Sequence, residues 1–193
     1  MKKIIYILLL IGQNTVSNAY ATRVAIETAN YFTSALTAGY VFKRGDRFKQ
    51  VYGHGMVNIM TADLAYTFKD VWGIGGKAAY WRAHGQTTFL LQPTSLQEVP
   101  ITLYLSRAHD FDSGLQIYGS LGGGLAWIKE KSYLGTIKLH KGIGEMEVGM
   151  SYSACNYVSF TMATRYLFPP QMQVSTKKDI GGVDLRAGFS IDW

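Results

Sequence analysis

The chain of 193 residues contains one cysteine, Cys155. An internal disulfide is therefore impossible, and a thiolate metal centre has no second Cys to build on. Redox and zinc chemistry fall away with it. Proline is scarce, with 4 residues. Beyond the first twenty positions no apolar run approaches the ~20 residues that a membrane-crossing helix needs. What is abundant is glycine, at 21 residues, and aromatic side chains, including 13 Tyr and 4 Trp. Rings with one apolar and one wet end suit a membrane interface, although soluble sheet proteins share this bias. The 48% apolar content fits one domain with a large apolar surface.

The clearest local signal lies at the start. Lys2 and Lys3 precede an apolar core from Ile4 to Ile11, and Ala19-Tyr20-Ala21 offers a small-x-small cleavage site. Together they read as a secretory signal peptide over residues 1–21, cut after Ala21 or alternatively after Ala19. The polar stretch Gln13-Asn14-Thr15 ends the apolar run too early for an anchor. Cleavage would leave residues 22–193 as the mature domain, with 17 basic and 13 acidic side chains.

Period-two alternation dominates that domain, the mark of strands with two unlike faces. In 115–127, Leu115, Ile117, Leu121, Leu125 and Trp127 share a face opposite Gln116, Tyr118, Ser120, Gly122, Gly124 and Ala126. In 183–193, Val183, Leu185, Ala187, Phe189, Ile191 and Trp193 oppose Asp184, Arg186, Gly188, Ser190 and Asp192. Similar patterns cover 36–42, 60–68, 72–80, 99–106, 146–152 and 158–166, for about eight strands. Residues 22–33 either lengthen the first strand or lie outside it. The connections around 43–57, 83–97, 129–142 and 169–181 are long, and those between them, near 69–70, 107–113 and 154–156, are short. Such alternation is expected of a membrane barrel with long external loops and short periplasmic turns.

Two barrels fit alternating strands. A soluble, lipocalin-like carrier turns its apolar face inward and needs a charged exterior. Here the polar face is mostly Gly, Ala, Ser and Thr with isolated charges, which suits the crowded lumen of an eight-stranded barrel. The apolar face then meets lipid, and closure satisfies every backbone polar group within hydrocarbon. The expected fold is all-β: a transmembrane antiparallel up-and-down barrel.

With its signal peptide, alternating strands and terminal Phe189-Ser190-Ile191-Asp192-Trp193, the chain resembles the small outer-membrane proteins of the OmpX type and the transmembrane domain of OmpA. The resemblance is one of architecture and terminal motif, and covers essentially the whole mature chain. It implies a bacterial outer-membrane location, and it implies that Phe189, Ile191 and Trp193 are read by the outer-membrane insertion machinery, with Trp where Phe is commoner.

On this topology Asp63, Lys77, Glu145, Glu147, Arg165, Asp184 and Arg186 point into the lumen. Charges held away from bulk water need partners, so a network of ion pairs filling the barrel is expected, with a proton or ion pathway as the alternative. Some small barrels are lipid-modifying enzymes, but His54, His84, His109 and His140 show no match to the His-x-Ser arrangement of lipid A deacylases. Gly122-Gly123-Gly124 lies within a strand and opens no helix, so close backbone packing explains it better than phosphate binding. No catalytic residue, metal or cofactor is assigned, and no nucleic-acid partner is implied.

Charge concentrates in the expected external loops. Lys43, Arg44, Arg47 and Lys49 fall in the first, with Phe48 and Tyr52 among them, and Lys129, Lys131, Lys138 and Lys141 in the third, near Tyr133. Arg82 and Glu98 balance in the second. Such loops are suited to lipopolysaccharide phosphates or an anionic glycan through many weak contacts. The expectation is a monomeric barrel with a plugged polar lumen and a structural or surface-attachment role. A narrow pore, a lipid-modifying enzyme and a soluble carrier remain the alternatives.

Overall fold

The computed structural model describes residues 30–43, 46–53, 55–68, 71–87, 90–111, 114–155, 157–168 and 181–193, without the side chains of Asp46 and Arg47. The expected signal peptide lies outside these residues. Eight strands follow in chain order: β1 Tyr31–Phe42, β2 Met56–Phe68, β3 Trp72–Gln86, β4 Pro93–Asp110, β5 Leu115–Ser132, β6 Gly135–Cys155, β7 Val158–Phe168 and β8 Gly182–Asp192. Helix α1, Asp46–Tyr52, lies between β1 and β2. Each strand pairs antiparallel with the next, and β8 returns to β1, closing the barrel. Trp193 extends the closure: its N–H donates to Phe32 O and its carbonyl accepts from Phe32 N–H, both at 2.9 Å. A closed sheet leaves no unpaired edge.

Alternation decides which face is which. Leu36, Met60 and Leu103 on the outside are 70%, 68% and 70% exposed, whereas Thr102, Ser159 and Arg165 on the inside are buried. The soluble-carrier arrangement requires the reverse. Aromatic side chains collect on the outside near the end where β1 begins and β8 ends, the terminal end. There Phe32 packs on Tyr66 and stacks on Trp193, with ring centroids 4.9 and 5.4 Å apart. Tyr80 and Trp127 lie towards the opposite end. Among the described residues, no helix is long and apolar enough to cross a membrane.

The strands reach further than their hydropathy indicated. β1 takes in Tyr31 to Thr33, and β3 and β4 leave only residues 87–92 between them. The expected loop at 129–142 is instead a hairpin: β5 and β6 stay paired to Ser132 and Gly135, turning at Tyr133 and Leu134. On the terminal side, 107–110 likewise continue β4. The Gly122–Gly124 segment lies in β5, and a Cβ at Gly124 would sit 1.9 Å from Ile101 O, so the strands approach too closely there for a side chain.

The first connection is partly folded. Phe48, Val51 and Tyr52 fall on one side of α1, and the helix ends at Gly53, whose φ of +83° is the left-handed conformation of a helix C-terminus. Gly53 N–H donates to Lys49 O at 2.9 Å. Phe48 and Tyr52 turn into the barrel mouth and pack beside Trp81, so they do not lie in a solvated external loop with the cations around them.

Candidate functional site

Two groups of residues carry the chemistry of this barrel, one in the lumen and one on the outer wall. In the lumen, β2, β3, β6, β7 and β8 each contribute charged side chains on the inward parity. Lys77 Nζ lies 2.5 Å from Glu147 Oε2, and Glu147 also accepts from Arg186 Nη2. Arg186 Nε lies 2.7 Å from Asp184 Oδ1, Arg165 Nε donates to Asp184 Oδ2 at 2.8 Å, and Arg165 Nη1 donates to Glu145 Oε2 at 3.4 Å. Glu145 Oε1 returns to Lys77 at 3.8 Å. The contacts form a closed ring of alternating charge. Asp63 branches from it, 3.6 Å from Lys77 and accepting from the Tyr104 hydroxyl at 2.5 Å. Thus all seven lumen charges named from the sequence meet in one cluster.

Neutral groups finish the cluster. Thr102 Oγ1 donates to Glu145 at 2.9 Å, and the Tyr118 hydroxyl donates to Glu147 Oε1 at 3.4 Å. Both Tyr104 and Tyr118 lie across glycines, Gly75 and Gly149, where a Cβ would collide with their rings. Removing a side chain from the wall makes room for a phenol in a narrow lumen. A cavity of about 110 Å³ reaches this cluster from the terminal end, with Asp63, Tyr104, Tyr118 and Glu147 in its lining. Among the described residues, no group of three His, Cys, Asp or Glu could hold a metal ion.

Towards the opposite end the lumen becomes apolar. Val41, Val57, Ile59, Ala79, Trp81 and Ala83 join Phe48 and Tyr52 of α1 in one buried cluster, and Ala126, Ile128, Ile143 and Leu167 form another. Lys43 belongs here and not to a solvated loop: its Nζ is 3.2 Å from Glu98 Oε2 and 4.4 Å from the Trp81 ring centroid. Glu98 accordingly pairs with Lys43, and Arg82 faces outward. The Lys43–Glu98 pair joins residues 55 positions apart and had no sequence signal. Burial, opposed by a Thr94 hydrogen bond and reinforced by the charge of Glu130, pushes the Tyr52 phenol up to about 12.

The outer wall holds three of the remaining predicted loop cations. Lys129 and Lys131 occupy the outward parity of β5, and Lys138 the outward parity of β6, whereas Lys141 lies on the inward parity with Glu145 and Glu147. In register, Arg82 is opposite Gln97, Gln97 opposite Lys129, and Lys129 opposite Lys138. One row across β3–β6 therefore carries three cations. Lys131 lies in the next row, and Trp127 and His140 form a pair just below. Lys49 is exposed on α1, and Arg44 and the Arg47 side chain lie outside the described residues. His54 also lies outside them, while His84 and His140 are near this end of the barrel and His109 near the other. Phe189, Ile191 and Trp193 are 61%, 49% and 66% exposed on the outer wall at the terminal end.

No protein-family model and no curated protein matches the chain. Solved structures do. Neisserial surface protein A (NspA) aligns with a TM-score of 0.66 at 13% identity, covering 86% of this chain and 99% of that one. OprG from Pseudomonas aeruginosa aligns with a TM-score of 0.62 at 16% identity over 86% and 97%. Ail, the attachment invasion locus protein of Yersinia pestis, in complex with the heparin analogue sucrose octasulfate, aligns with a TM-score of 0.53 at 16% identity over 85% and 97%. Closed, antiparallel, up-and-down and apolar on its outside, the chain has the fold of the small eight-stranded outer-membrane β-barrels.

Proposed function

We propose that this chain is an integral outer-membrane barrel that does not conduct, and that its outer rim holds polyanionic sugars. On this reading residues 1–21 direct export and are removed, the termini face the periplasm, and Phe189, Ile191 and Trp193 are read by the insertion machinery. The barrel acts as a monomer without enzymatic activity. The charge ring and the apolar cluster above it fill the lumen, which supports a structural role in place of a pore.

One observation carries the binding function. Lys129 and Lys138 are directly opposite on neighbouring strands, with Arg82 in the same row. Neighbouring strands are about 4.8 Å apart, and like charges directly opposite each other are destabilising. The residues beside them on this face, Ser95, Gln97, Thr136 and His140, supply no carboxylate. An anion lying across the row would relieve the repulsion, and Trp127 below offers a sugar or acyl surface. The ligand class is therefore a phosphorylated or sulfated saccharide, either lipopolysaccharide in the same membrane or a glycan on another cell. Ail bound to sucrose octasulfate shows such chemistry on a barrel of this fold.

The test replaces Arg82, Lys129, Lys131 and Lys138 together with Ala and measures binding to lipopolysaccharide vesicles and to sucrose octasulfate. With about a fivefold contribution per surface cation, affinity should fall by more than about tenfold, and binding by the native protein should weaken with added salt. Lys141→Ala, on the inner parity, should bind as the native chain does. Heat-shifted mobility on a denaturing gel checks that each variant is folded. Equal binding by the fourfold variant, or binding indifferent to salt, refutes the reading.

A further inference from the structure

On the outer wall, β5 breaks its apolar face at Gly119, between Ile117 and Leu121, and again at Gly123, where a Cβ would sit 3.3 Å from Ile143 O. Neither packing nor backbone explains the glycine at 119. A Cβ there would meet only Glu147 O at 3.9 Å, an ordinary contact, and Gly119 is not among the residues with positive φ. Gly122 and Gly124 differ, because a Cβ at either would come within 2.5 Å or less of a backbone carbonyl. A glycine weakens a strand interior, so position 119 keeps open a space that the protein itself does not fill. That space belongs to a groove of about 680 Å³ walled by Leu105, Leu121, Met146 and Val148.

One end of the groove is cationic. Arg107 is opposite Gly119 on one side and Trp72 on the other, and its guanidinium lies 5.4 Å from the Trp72 ring centroid. No carboxylate among the described residues pairs with it. Lys77, Arg165 and Arg186 all point inward and are consumed by the charge ring, which leaves Arg107 as the outward Lys or Arg of the terminal half among the described residues. Trp72 belongs at the headgroup level where interfacial aromatics lie.

We infer that this groove is a binding site for one glycerophospholipid of the periplasmic leaflet, its phosphodiester on Arg107 and an acyl chain over Gly119. The inference rests on the membrane-spanning reading proposed above. A cation at headgroup depth next to an apolar trough complements a lipid anion that continues into a hydrocarbon chain. The site is separate from the Arg82–Lys129–Lys138 row, which lies on the opposite half of the barrel.

The experiment is native mass spectrometry of the full chain extracted from membranes in mild detergent and mixed with phosphatidylglycerol vesicles. The native protein should retain one lipid. Arg107→Ala should lower retention about fivefold, as expected for one cation at an anionic headgroup. Gly119→Phe should fill the trough and abolish retention, and Gly119→Leu should do so in part, which keeps the test decisive if the larger side chain prevents folding. Leu36→Ala, on the outer wall of β1 and outside the groove, should retain lipid as the native chain does. Equal retention by Arg107→Ala and Gly119→Leu in heat-shifted, folded protein would mean an unspecific lipid coat and would overturn the site. Failure of the native chain to insert into vesicles at all would instead overturn the membrane reading beneath it.

Discussion

Replacing Arg165 with Ala should be among the most damaging single changes to the lumen. Its side chain is wholly buried, and it holds Asp184 at 2.8 Å and Glu145 at 3.4 Å. Removing one partner from a buried ion pair costs about 3–5 kcal/mol, because the other charge is left uncompensated. Here both acids keep a second contact, Asp184 with Arg186 at 2.7 Å and Glu145 with Lys77 at 3.8 Å. The lower end of that range, about 3 kcal/mol, is therefore expected. With a urea m-value of about 2–3 kcal/mol per M, the midpoint should fall by about 1–1.5 M. The assay is urea unfolding and refolding of the barrel in micelles, followed by tryptophan emission. Arg165→Met, which keeps volume but not charge, should lose nearly as much, and adding Glu145→Gln should recover part of the loss by removing the stranded carboxylate. Conductance should not appear in either variant, since the apolar cluster around Trp81 remains. An unchanged midpoint in both Arg165→Ala and Arg165→Met would refute the claim that the ring stabilises the barrel.

Deleting Trp193 removes both its backbone bonds to Phe32 and the ring stacked on Phe32. Export should continue while folded protein in the outer membrane falls severalfold, and Trp193→Asp should behave alike; normal levels in cell fractions would contradict the assembly role. Tyr52 gives a pH signature. Its phenol is pushed up to about 12, first by burial and then by Glu130, so its neutral form favours the docked helix α1. The docking is fully supported below pH ~10, where an ordinary tyrosine ionises, and weakens as pH rises through about 12. The difference titration at phenolate wavelengths between native protein and Tyr52→Phe should show this late step; an ordinary midpoint near 10 would argue that α1 is undocked.

The sequence by itself determined the strands and their two faces, because the pleat sends successive side chains to opposite sides whatever lies around them. It therefore also placed Asp63, Lys77, Glu145, Glu147, Arg165, Asp184 and Arg186 on one surface. Their partners were beyond it: Lys77 meets Glu147 across 70 positions, and only barrel closure and register bring them together. The hairpin at 129–142 was hidden for a different reason. Hydropathy alternation registers a strand only where one side meets lipid, and beyond that zone β5 and β6 carry polar residues on both sides while keeping every backbone pair. Helix α1 is too short for a periodic signal to stand out, although Phe48, Val51 and Tyr52 at helical spacing before Gly53 mark it in retrospect. Lys43 shows the limit most plainly. Its charge and its place after a strand suited a solvated loop equally well, and only the folded barrel, by bringing Glu98 and the Trp81 ring to it, made it an interior residue.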